Sequence, residues 1–324
     1  MTTTVTTAKK CTLLSLDFGN YELKSFDGRQ VTKIRSLQSV IATGQKPLLA
    51  SEASPIIEMD GIRWHVGSQA GRYPSYEATV QGEKTRLAQI HLAACISQSG
   101  CYDLVISHHS PDNYGKVLKG ALLGKHSYQR NGLQVDVSIN SVTVVLEGSG
   151  AYQLAKARNY IPTRGYTIVI DLGGSTWVSA LYASDGELIS STAYERKGTY
   201  ALAVAIASDS RLQKALQEST SVSSPDTSVI LEGLAKDNFY GESELCWGEW
   251  LGEYLDPWWK GIVQALKSGY QSHMPSVKRI VVTGGGANLV SPKVAASPAF
   301  LVLPECSTAN VQGAYHSVKT QVAN

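Results

Sequence analysis

The chain contains two similar strand–turn–strand segments that lie almost half its length apart. Residues 11–28 (CTLLSLDFGNYELKSFDG) and residues 166–186 (YTIVIDLGGSTWVSALYASDG) both begin with an apolar run that ends in an aspartate, Asp17 or Asp171. A glycine-containing turn follows, then a second apolar run and a closing Asp-Gly pair. Alternating apolar residues with turn residues between them predict a β-hairpin in each segment. Because 324 residues are too many for most single cores, the repeat predicts two duplicated lobes.

Predicted strands and helices alternate in both halves, which is typical of an α/β protein. The strands are expected at residues 62–67, 103–109, 133–139 and 141–148. The helices are expected at residues 83–98, 114–124, 149–158 and 199–217, and after Asp256, the predicted N-cap in front of Pro257. A polar linker is predicted at residues 218–228, and a strand, a glycine-rich turn and the start of a helix at residues 279–290.

The composition excludes several classes of protein. Hydrophobic residues make up 43% of the chain and charged residues 17%, as in ordinary folded proteins. The net charge is +2 and the cations are scattered, so we expect no direct, strong binding of nucleic acid. We expect no membrane association either, because no apolar run reaches the length of a span.

The cysteines and the first residues indicate the compartment. The five cysteines are odd in number and form no CxxC pair, which favours reduced packing residues in a cytoplasmic protein. Residues 1–10 (MTTTVTTAKK) contain no apolar signal core and are predicted to be a disordered tail.

Three glycine-containing turns follow apolar strands, at Gly19, at Gly173-Gly174 and at Gly284–Gly286. Glycine lacks a Cβ atom and tolerates positive φ, so backbone N–H groups in such turns can surround an anion such as phosphate. The side chains of Asn20, Ser175 and Thr176 add hydrogen-bond donors. Lys24 can add a direct positive charge beside the first turn.

Asp17 and Asp171 directly precede two of these turns, where a bare carboxylate would repel phosphate. A hydrated Mg²⁺ between carboxylate and phosphate removes this conflict, because Mg²⁺ takes oxygen ligands and keeps several waters. The two acids could hold this ion and orient the attacking water of a phosphoryl transfer. A single Asp-x-Gly turn is more often purely structural, but two such turns with a downstream Gly-Gly-Gly-Ala favour nucleotide binding.

Together these motifs resemble the five-part nucleotide signature of the actin, sugar kinase and heat-shock chaperone superfamily. The resemblance covers roughly residues 12–318, and within the superfamily the chain is most similar to bacterial actin-like plasmid-segregation proteins of the ParM/StbA type. Residues 60–67 (DGIRWHVG) and 197–208 (KGTYALAVAIAS) support the narrower likeness. The five parts are phosphate 1 at 17–24 (DFGNYELK), connect 1 at 146–152 (LEGSGAY), phosphate 2 at 171–177 (DLGGSTW), the adenosine motif at 281–290 (VVTGGGANLV) and connect 2 at 309–317 (ANVQGAYHS).

The resemblance implies an actin-like fold of two duplicated α/β lobes with a nucleotide cleft between them. Its expected bounds are residues 11–160 for lobe I, with a small subdomain at about 30–80, residues 161–310 for lobe II, and a C-terminal helix at 311–324 that returns to lobe I. The implied cofactors are ATP or ADP with Mg²⁺.

The resemblance also assigns roles to residues. Asp17 and Asp171 would hold Mg²⁺, through water, and Asp171 and Glu147 would position and polarise the attacking water. The nucleotide-binding residues would be Gly19, Asn20, Tyr21, Lys24, Gly173, Gly174, Ser175, Thr176, Gly284, Gly285, Gly286 and Ala287. Gly313 and Ala314 would allow close packing at a hinge. Asn20 and Trp177 depart from the family, which often has Ser or Thr at the first position and a smaller residue at the second.

The function that the resemblance implies is a filament-forming ATPase of the ParM type, in which ATP hydrolysis controls assembly and disassembly. The chain would polymerise head to tail with itself and would contact plasmid or other DNA through a DNA-binding adaptor. Two alternatives stay open from the sequence. One is a small-molecule kinase of the same superfamily, of the sugar or acetate type, and the other is a non-polymerising nucleotide-switch scaffold.

Two further features favour structural roles. Trp247, Trp250, Leu251, Tyr254 and Leu255 are predicted to share one face of a helix, which indicates core, with a contact between protomers as the alternative. His108 and His109 are predicted to point to opposite faces of a strand, so that they cannot chelate one metal ion.

Overall fold

The computed structural model describes residues 11–79, 84–220 and 224–323. The expected tail at residues 1–10 lies outside the described residues. Over the described ranges the chain forms fifteen strands and nine α-helices. The strands are β1 Thr12–Phe18, β2 Glu22–Phe26, β3 Val31–Arg35, β4 Leu37–Val40, β5 Ile56–Met59, β6 Ile62–Val66, β7 Glu77–Ala78, β8 Gly100–His108, β9 Gly124–Arg130, β10 Leu133–Leu146, β11 Tyr166–Leu172, β12 Trp177–Tyr182, β13 Leu188–Tyr194, β14 Val277–Thr283 and β15 Phe300–Val302. The helices are α1 Ala88–Cys95, α2 Pro111–Leu122, α3 Ser149–Ala157, α4 Thr199–Ala207, α5 Ser210–Thr220, α6 Thr227–Ala235, α7 Gly252–Gly269, α8 Ala287–Val294 and α9 Ala309–Ala323.

The chain divides into two compact units, each with one sheet. The first unit contains the described residues up to 18, those from 22 to 145 and those from 314 onward; the second contains residues 19–21 and 146–313. Each unit has its own cluster of buried apolar side chains. Helix α9 begins in the second unit and continues in the first.

The two sheets repeat one design. In the first unit the strand order begins β3-β2-β1-β8-β10, and in the second it is β13-β12-β11-β14-β15. In each, an antiparallel three-strand meander is followed by a strand parallel to the first strand of the meander. The two predicted hairpins are β1–β2 and β11–β12, so the duplicated α/β architecture is confirmed. The first sheet continues as β9-β5-β6-β4-β7.

Two predictions of how many elements a segment forms are wrong, and local hydrogen bonds to an aspartate explain both. The strands expected at 133–139 and 141–148 are one strand, β10, because Asn140 and Ser141 both donate hydrogen bonds to Asp103 Oδ1 and need no turn. The helix expected at 199–217 is two helices, α4 and α5. Asp209 separates them by accepting the backbone N–H of Arg211 at 2.7 Å, and the hydrogen bonds from Arg211 hold the Asp209 pKa below its ordinary value.

Three predicted helix ends also shift. The helix expected at 83–98 is confined to α1 (Ala88–Cys95), and residue 83 lies outside the described part of the chain. The linker expected at 218–228 is shorter, since α5 extends to Thr220, residues 221–223 are outside the description, and Asp226 caps α6 through the Ser228 N–H at 2.7 Å. Helix α7 starts at Gly252 rather than after Asp256, so Pro257 lies inside it and Asp256 pairs with Lys293 instead of capping.

The tryptophan-rich segment is core, but its predicted geometry is wrong. Trp247 precedes a short 3₁₀ turn at Gly248–Trp250 and α7 starts only at Gly252, so no single helix face carries all five residues. The core interpretation is confirmed, since Trp247 and Leu255 are buried and the other three pack against the same cluster.

The histidine pair also differs from the prediction. Strand β8 ends at His108, and because His109 is outside the strand the two rings stack with centroids 4.3 Å apart. His108 Nδ1 accepts the Ser110 backbone N–H at 3.0 Å. Burial lowers the His108 pKa to about 3, and no group of three or more metal-ligating side chains occurs among the described residues.

The expectation that all cysteines are reduced is wrong for one pair. Cys11 and Cys101 form a disulfide between the starts of the parallel strands β1 and β8, where the register brings their Cα atoms to 4.6 Å. Cys95, Cys246 and Cys306 are free thiols.

Across the described ranges, no helix is long and apolar enough to span a membrane.

Reducing the Cys11–Cys101 disulfide should destabilise the protein. The bond closes a loop with a sequence separation of 90 residues, and loop-closure entropy for such a length corresponds to about 4–5 kcal/mol. Urea unfolding should show a lower midpoint with dithiothreitol or in Cys11→Ser, whereas Cys246→Ser, at an exposed thiol, should leave the midpoint in place. An identical midpoint with and without reductant would contradict this bond.

Acidification should destabilise the protein through His91. Its ring is fully buried against Phe18 and Thr79, and burial, with Lys84 and Arg86 nearby, lowers its pKa from 6.5 to about 3. Between these pH values His91 is protonated in the unfolded chain but not in the folded chain. The free energy of unfolding therefore falls as the pH decreases below 6.5. We expect a loss of about 2 kcal/mol at pH 5 from this group. Urea titrations at pH 7.5 and pH 5 should differ less for His91→Gln than for the original chain.

Candidate functional site

Asp171 is the buried acid of the candidate site in the second unit. It is the penultimate residue of β11, pairs in register with Thr283 of β14, and is buried. Asn310, in the first turn of α9, donates from Nδ2 to Asp171 Oδ2 at 3.0 Å. A buried carboxylate needs such donors, because loss of hydration otherwise disfavours its charged form.

The same amide fixes the start of α3. Asn310 Oδ1 accepts the backbone N–H of Gly148 at 3.1 Å and that of Ala151 at 3.4 Å. Glu147, which is also buried, directly precedes Gly148, whose φ of 86° turns the chain from β10 into α3. A Cβ at Gly148 would lie 3.6 Å from the Asp171 Cβ. The backbone directly after Glu147 therefore lies next to Asp171, and Asn310 is bonded to both.

The phosphate 2 turn is anchored through its carbonyl groups. The carbonyls of Gly173, Gly174 and Ser175 accept the N–H groups of Thr199, Tyr200 and Gly198 at 2.7–3.0 Å. In a trans peptide the C=O of one residue and the N–H of the next point in opposite directions. The N–H groups of Gly174, Ser175 and Thr176 therefore point away from α4. Three successive donors on one side of a turn are what an anion needs.

Gly198 makes this anchoring possible. A Cβ at Gly198 would collide with the carbonyl oxygens of Gly173 and Gly174. The residue allows the N-terminus of α4 to approach the turn directly, so that the first N–H groups of the helix are satisfied by the turn.

The tip of the first hairpin belongs to the second unit by its contacts. Residues 19–21 cluster with that unit, and a Cβ at Gly174 would lie 3.5 Å from both the Asn20 Cβ and the Tyr21 backbone nitrogen. The turns predicted as phosphate 1 and phosphate 2 therefore meet where Gly174 lies beside Asn20 and Tyr21.

The triple-glycine turn follows β14 and leads into α8. Gly284 donates its N–H to Cys306 O at 3.0 Å, and Gly286 donates to Leu172 O at 2.9 Å. Gly284 has φ 88°, and a Cβ there would collide with Asp171 Oδ1. Gly285 differs, because it is exposed and a Cβ there would meet no atom of the described residues within 4 Å. The described part of the chain requires glycine at 284 but not at 285.

Gly313 packs α9 directly onto α3. A Cβ at this position would collide with the carbonyl group of Gly150, so the two helix backbones touch here. The close packing predicted at Gly313 is present within the second unit; the hinge role stays a prediction.

In the first unit, Asp17 and Lys24 form an ion pair. They are opposite each other in the β1–β2 register, Lys24 Nζ lies 3.3 Å from Asp17 Oδ2, and both side chains are nearly buried. The cation predicted to contact phosphate is therefore held by the acid predicted to lie near Mg²⁺. Ser107 of β8 is in register on the other side of Asp17.

Sequence reasoning missed two residues of this site. Asn310 lies within the connect 2 motif, but the sequence does not show that its side chain donates a hydrogen bond to the buried Asp171. Gly198 precedes a helix and follows Lys197, and only its distance to the phosphate 2 turn shows why it lacks a side chain.

Comparison with known proteins finds one family match and a common fold. Residues 15–150 match the family of actin-like proteins, in its N-terminal domain. An archaeal actin homolog, Ta0583, has 18% identity, with 95% of this chain and 99% of that chain covered and a TM-score of 0.75. Its complex with ADP has 16% identity, the same coverage and a TM-score of 0.76. The ParM of a 15-stranded filament from Clostridium botulinum has 15% identity, coverage of 96% and 99%, and a TM-score of 0.75.

No curated protein matches the chain. The structural likeness extends over nearly the whole length, and at these identities it shows the fold, which is the actin-like fold that the motifs predicted. Residues 15–150 thus match the N-terminal domain of actin-like proteins, and the chain has the actin-like fold over nearly its whole length.

Proposed function

We propose that the chain is a filament-forming, Mg²⁺-dependent ATPase of the ParM type. The observation that carries the proposal is the buried Asp171, held by Asn310 beside Glu147 and flanked by the phosphate 2 turn and the triple-glycine turn. This arrangement offers amide donors to phosphate and carboxylates to a water molecule or a hydrated cation.

The phosphates would be bound mainly by backbone groups. The N–H groups of Gly174, Ser175 and Thr176 point away from α4 and can donate to the β- and γ-phosphates, together with the first hairpin tip at Gly19, Asn20 and Tyr21. The triple-glycine turn and Ala287 would contact the nucleoside, since Gly285 leaves open space for a close approach. An archaeal actin homolog with this fold has been solved with ADP.

The residues present fit Mg²⁺ rather than a metal held by protein alone. Among the described residues no cluster of three or more His, Cys, Asp or Glu side chains could enclose an ion. Mg²⁺ suits such a site, because it keeps several waters and uses one or two carboxylates with substrate phosphates. We assign that role to Asp171 and, on the resemblance, to Asp17, with Lys24 as a phosphate contact. When bound, the ion would neutralise charge on the phosphates.

Hydrolysis would use the paired acids. Asn310 occupies Asp171 Oδ2, and with that oxygen fixed the carboxylate can accept a hydrogen bond from the attacking water. Glu147 directly precedes Gly148, the N-cap of α3, and can polarise the same water. Attack on the γ-phosphorus would break its bond to the bridging oxygen, and the proton of the water would move to a carboxylate as ADP and phosphate form.

Filament formation follows from the kind of contact expected. A head-to-tail contact uses two different surfaces and does not close on itself, so it propagates as a polymer. A ParM and Alp12, both with this fold, have been solved as filaments. We propose segregation of plasmid or other DNA in the cytoplasm as the role. A DNA-binding adaptor would make the DNA contact, since the net charge of +2 provides little attraction for phosphates.

Substituting the acids should separate binding from hydrolysis. Asp171→Ala should slow phosphate release by about 10²–10⁴-fold, as for loss of a water-positioning or general-base group. Glu147→Ala should retain ATP binding and give longer-lived polymers. Phosphate release and light scattering after ATP addition measure both effects.

A matched control for these variants is Glu242→Ala, at an exposed acid between α6 and α7, which should behave as the original chain. Unchanged phosphate release in Asp171→Ala would refute the assigned role. A phosphorylated acceptor without any polymer, seen by electron microscopy with ATP, would favour the small-molecule kinase instead.

The two neighbouring glycines should respond differently to substitution. Gly284→Ala forces a side chain into a left-handed conformation and against Asp171, so it should lower the unfolding temperature. Gly285→Val should leave the unfolding temperature almost unchanged and weaken ATP binding at least tenfold, because it fills the open space beside the turn. Gly261→Ala, on an open face of α7, controls for a general effect of glycine replacement. Normal ATP affinity in Gly285→Val would exclude this turn from the site.

A further inference from the structure

We propose that strand β13 is an interaction edge, which pairs antiparallel with β13 of a second copy of this chain. The strand is the outer member of the second sheet, and among the described strands it pairs only with β12. An edge strand directs alternate backbone N–H and C=O groups outward, where another strand can bind them. The proposed pairing involves neither nucleotide nor the head-to-tail contact, so it does not depend on the proposed function.

The other three sheet edges in the described chain are protected and β13 is not. Edge strand β3 carries Lys33 and Arg35, β7 has only two residues, and β15 has three. Charge and shortness are the usual defences of edge strands. Strand β13 has seven residues, LISSTAY, without a charge or a proline.

Both faces of β13 are open as well as its edge. Residues 188–192 are all exposed, including Leu188 at 42% and Ile189 at 41%. Successive residues point to opposite faces of a sheet, so neither a helix nor a second layer covers this part of the strand. An added strand therefore meets no steric obstacle from the described residues there.

The regular part of β13 is complementary to itself. A register shift in the pairing with β12 falls between Leu188 and Ser190, and from Ser190 to Tyr194 the pairing is regular. Antiparallel pairing of this stretch with its copy has a two-fold axis at the central residue, Thr192. Thr192 then opposes Thr192 of the second copy, and Ser190 opposes its Tyr194. Such hydroxyl and aromatic pairs are favourable, and no like charges are directly opposed within the stretch.

The flanking charges favour the same antiparallel direction. Asp185 and Glu187 precede the strand, whereas Arg196 and Lys197 follow it after Glu195. Antiparallel pairing places the start of one strand beside the end of the other, so the acidic start meets an end with one acid and two bases. Parallel pairing would instead place acidic starts together. A second copy of β13 therefore complements this edge in its backbone hydrogen bonds, its side-chain pairs and its flanking charges.

The contact is small, since one strand pair buries far less area than a stable dimer needs. We therefore expect weak association of single chains, which strengthens when many copies are aligned side by side. The consequence would be lateral, antiparallel contact between chains or between polymers.

Cross-linking with a matched pair of cysteine variants tests the proposal. In the Cys246→Ser background, Thr192→Cys places two thiols across the two-fold axis, where opposed Cα atoms are about 4.5–5.5 Å apart, within disulfide range. Ser190→Cys, on the same face, would be roughly 13 Å from its own copy and serves as the control. With oxidised glutathione, Thr192→Cys should give at least tenfold more disulfide-linked dimer than Ser190→Cys, with or without ATP.

Equal cross-linking of both variants, or none from either at high protein concentration, would overturn the proposal. The unfolding temperature of each variant confirms that it is folded. Thr192→Lys places two lysines opposite each other in the proposed pair. It should therefore abolish the concentration-dependent protection of the 190–194 amides from hydrogen exchange. If the chain stays monomeric and the 190–194 amides exchange equally fast at low and high protein concentration, self-pairing is wrong.

Discussion

The hydrogen bonds of one side chain, Asn310, organise the candidate site. Its Nδ2 binds the buried carboxylate of Asp171, and its Oδ1 binds backbone N–H groups at the start of α3. A neutral amide can serve both because it is donor and acceptor at once. The bonds therefore fix the end of β11, the first turn of α3 and the first turn of α9 relative to one another. Removing the amide would leave a buried carboxylate and helix N–H groups without these partners, which costs more than one hydrogen bond contributes.

The duplicated hairpins use different partners for the same aspartate. In the first unit Asp17 is held by Lys24, which comes from the paired strand of the same hairpin. In the second unit the position opposite Asp171 is Val178, and the donor comes instead from α9. The first arrangement is local and completed by the hairpin alone. The second depends on an element far along the chain, so the geometry of the Asp171 site is fixed only when α9 has packed.

The sequence predicted the architecture well because its signals are local. Alternating apolar residues and the Asp-Gly turns define the hairpins without reference to the rest of the chain. The errors occur where tertiary contacts decide. Asn140 stays in a strand because Asp103 is beside it, and Pro257 lies inside α7 although a proline often marks a helix start. The role of Asn310 was equally hidden, since its partners are more than one hundred residues away.

The glycines show what a motif can and cannot tell. A sequence signature treats the glycines of its turn as equivalent, whereas the structure shows that their surroundings differ. Gly284 is required by its positive φ and by the Asp171 carboxylate, and Gly198, outside the five-part nucleotide signature, is required by two carbonyl groups. Among the described residues none requires glycine at position 285. The requirement at Gly284 is thus internal to the chain, and in the proposed nucleotide site only the substitution at Gly285 tests the approach of a ligand without disturbing the packing of the turn.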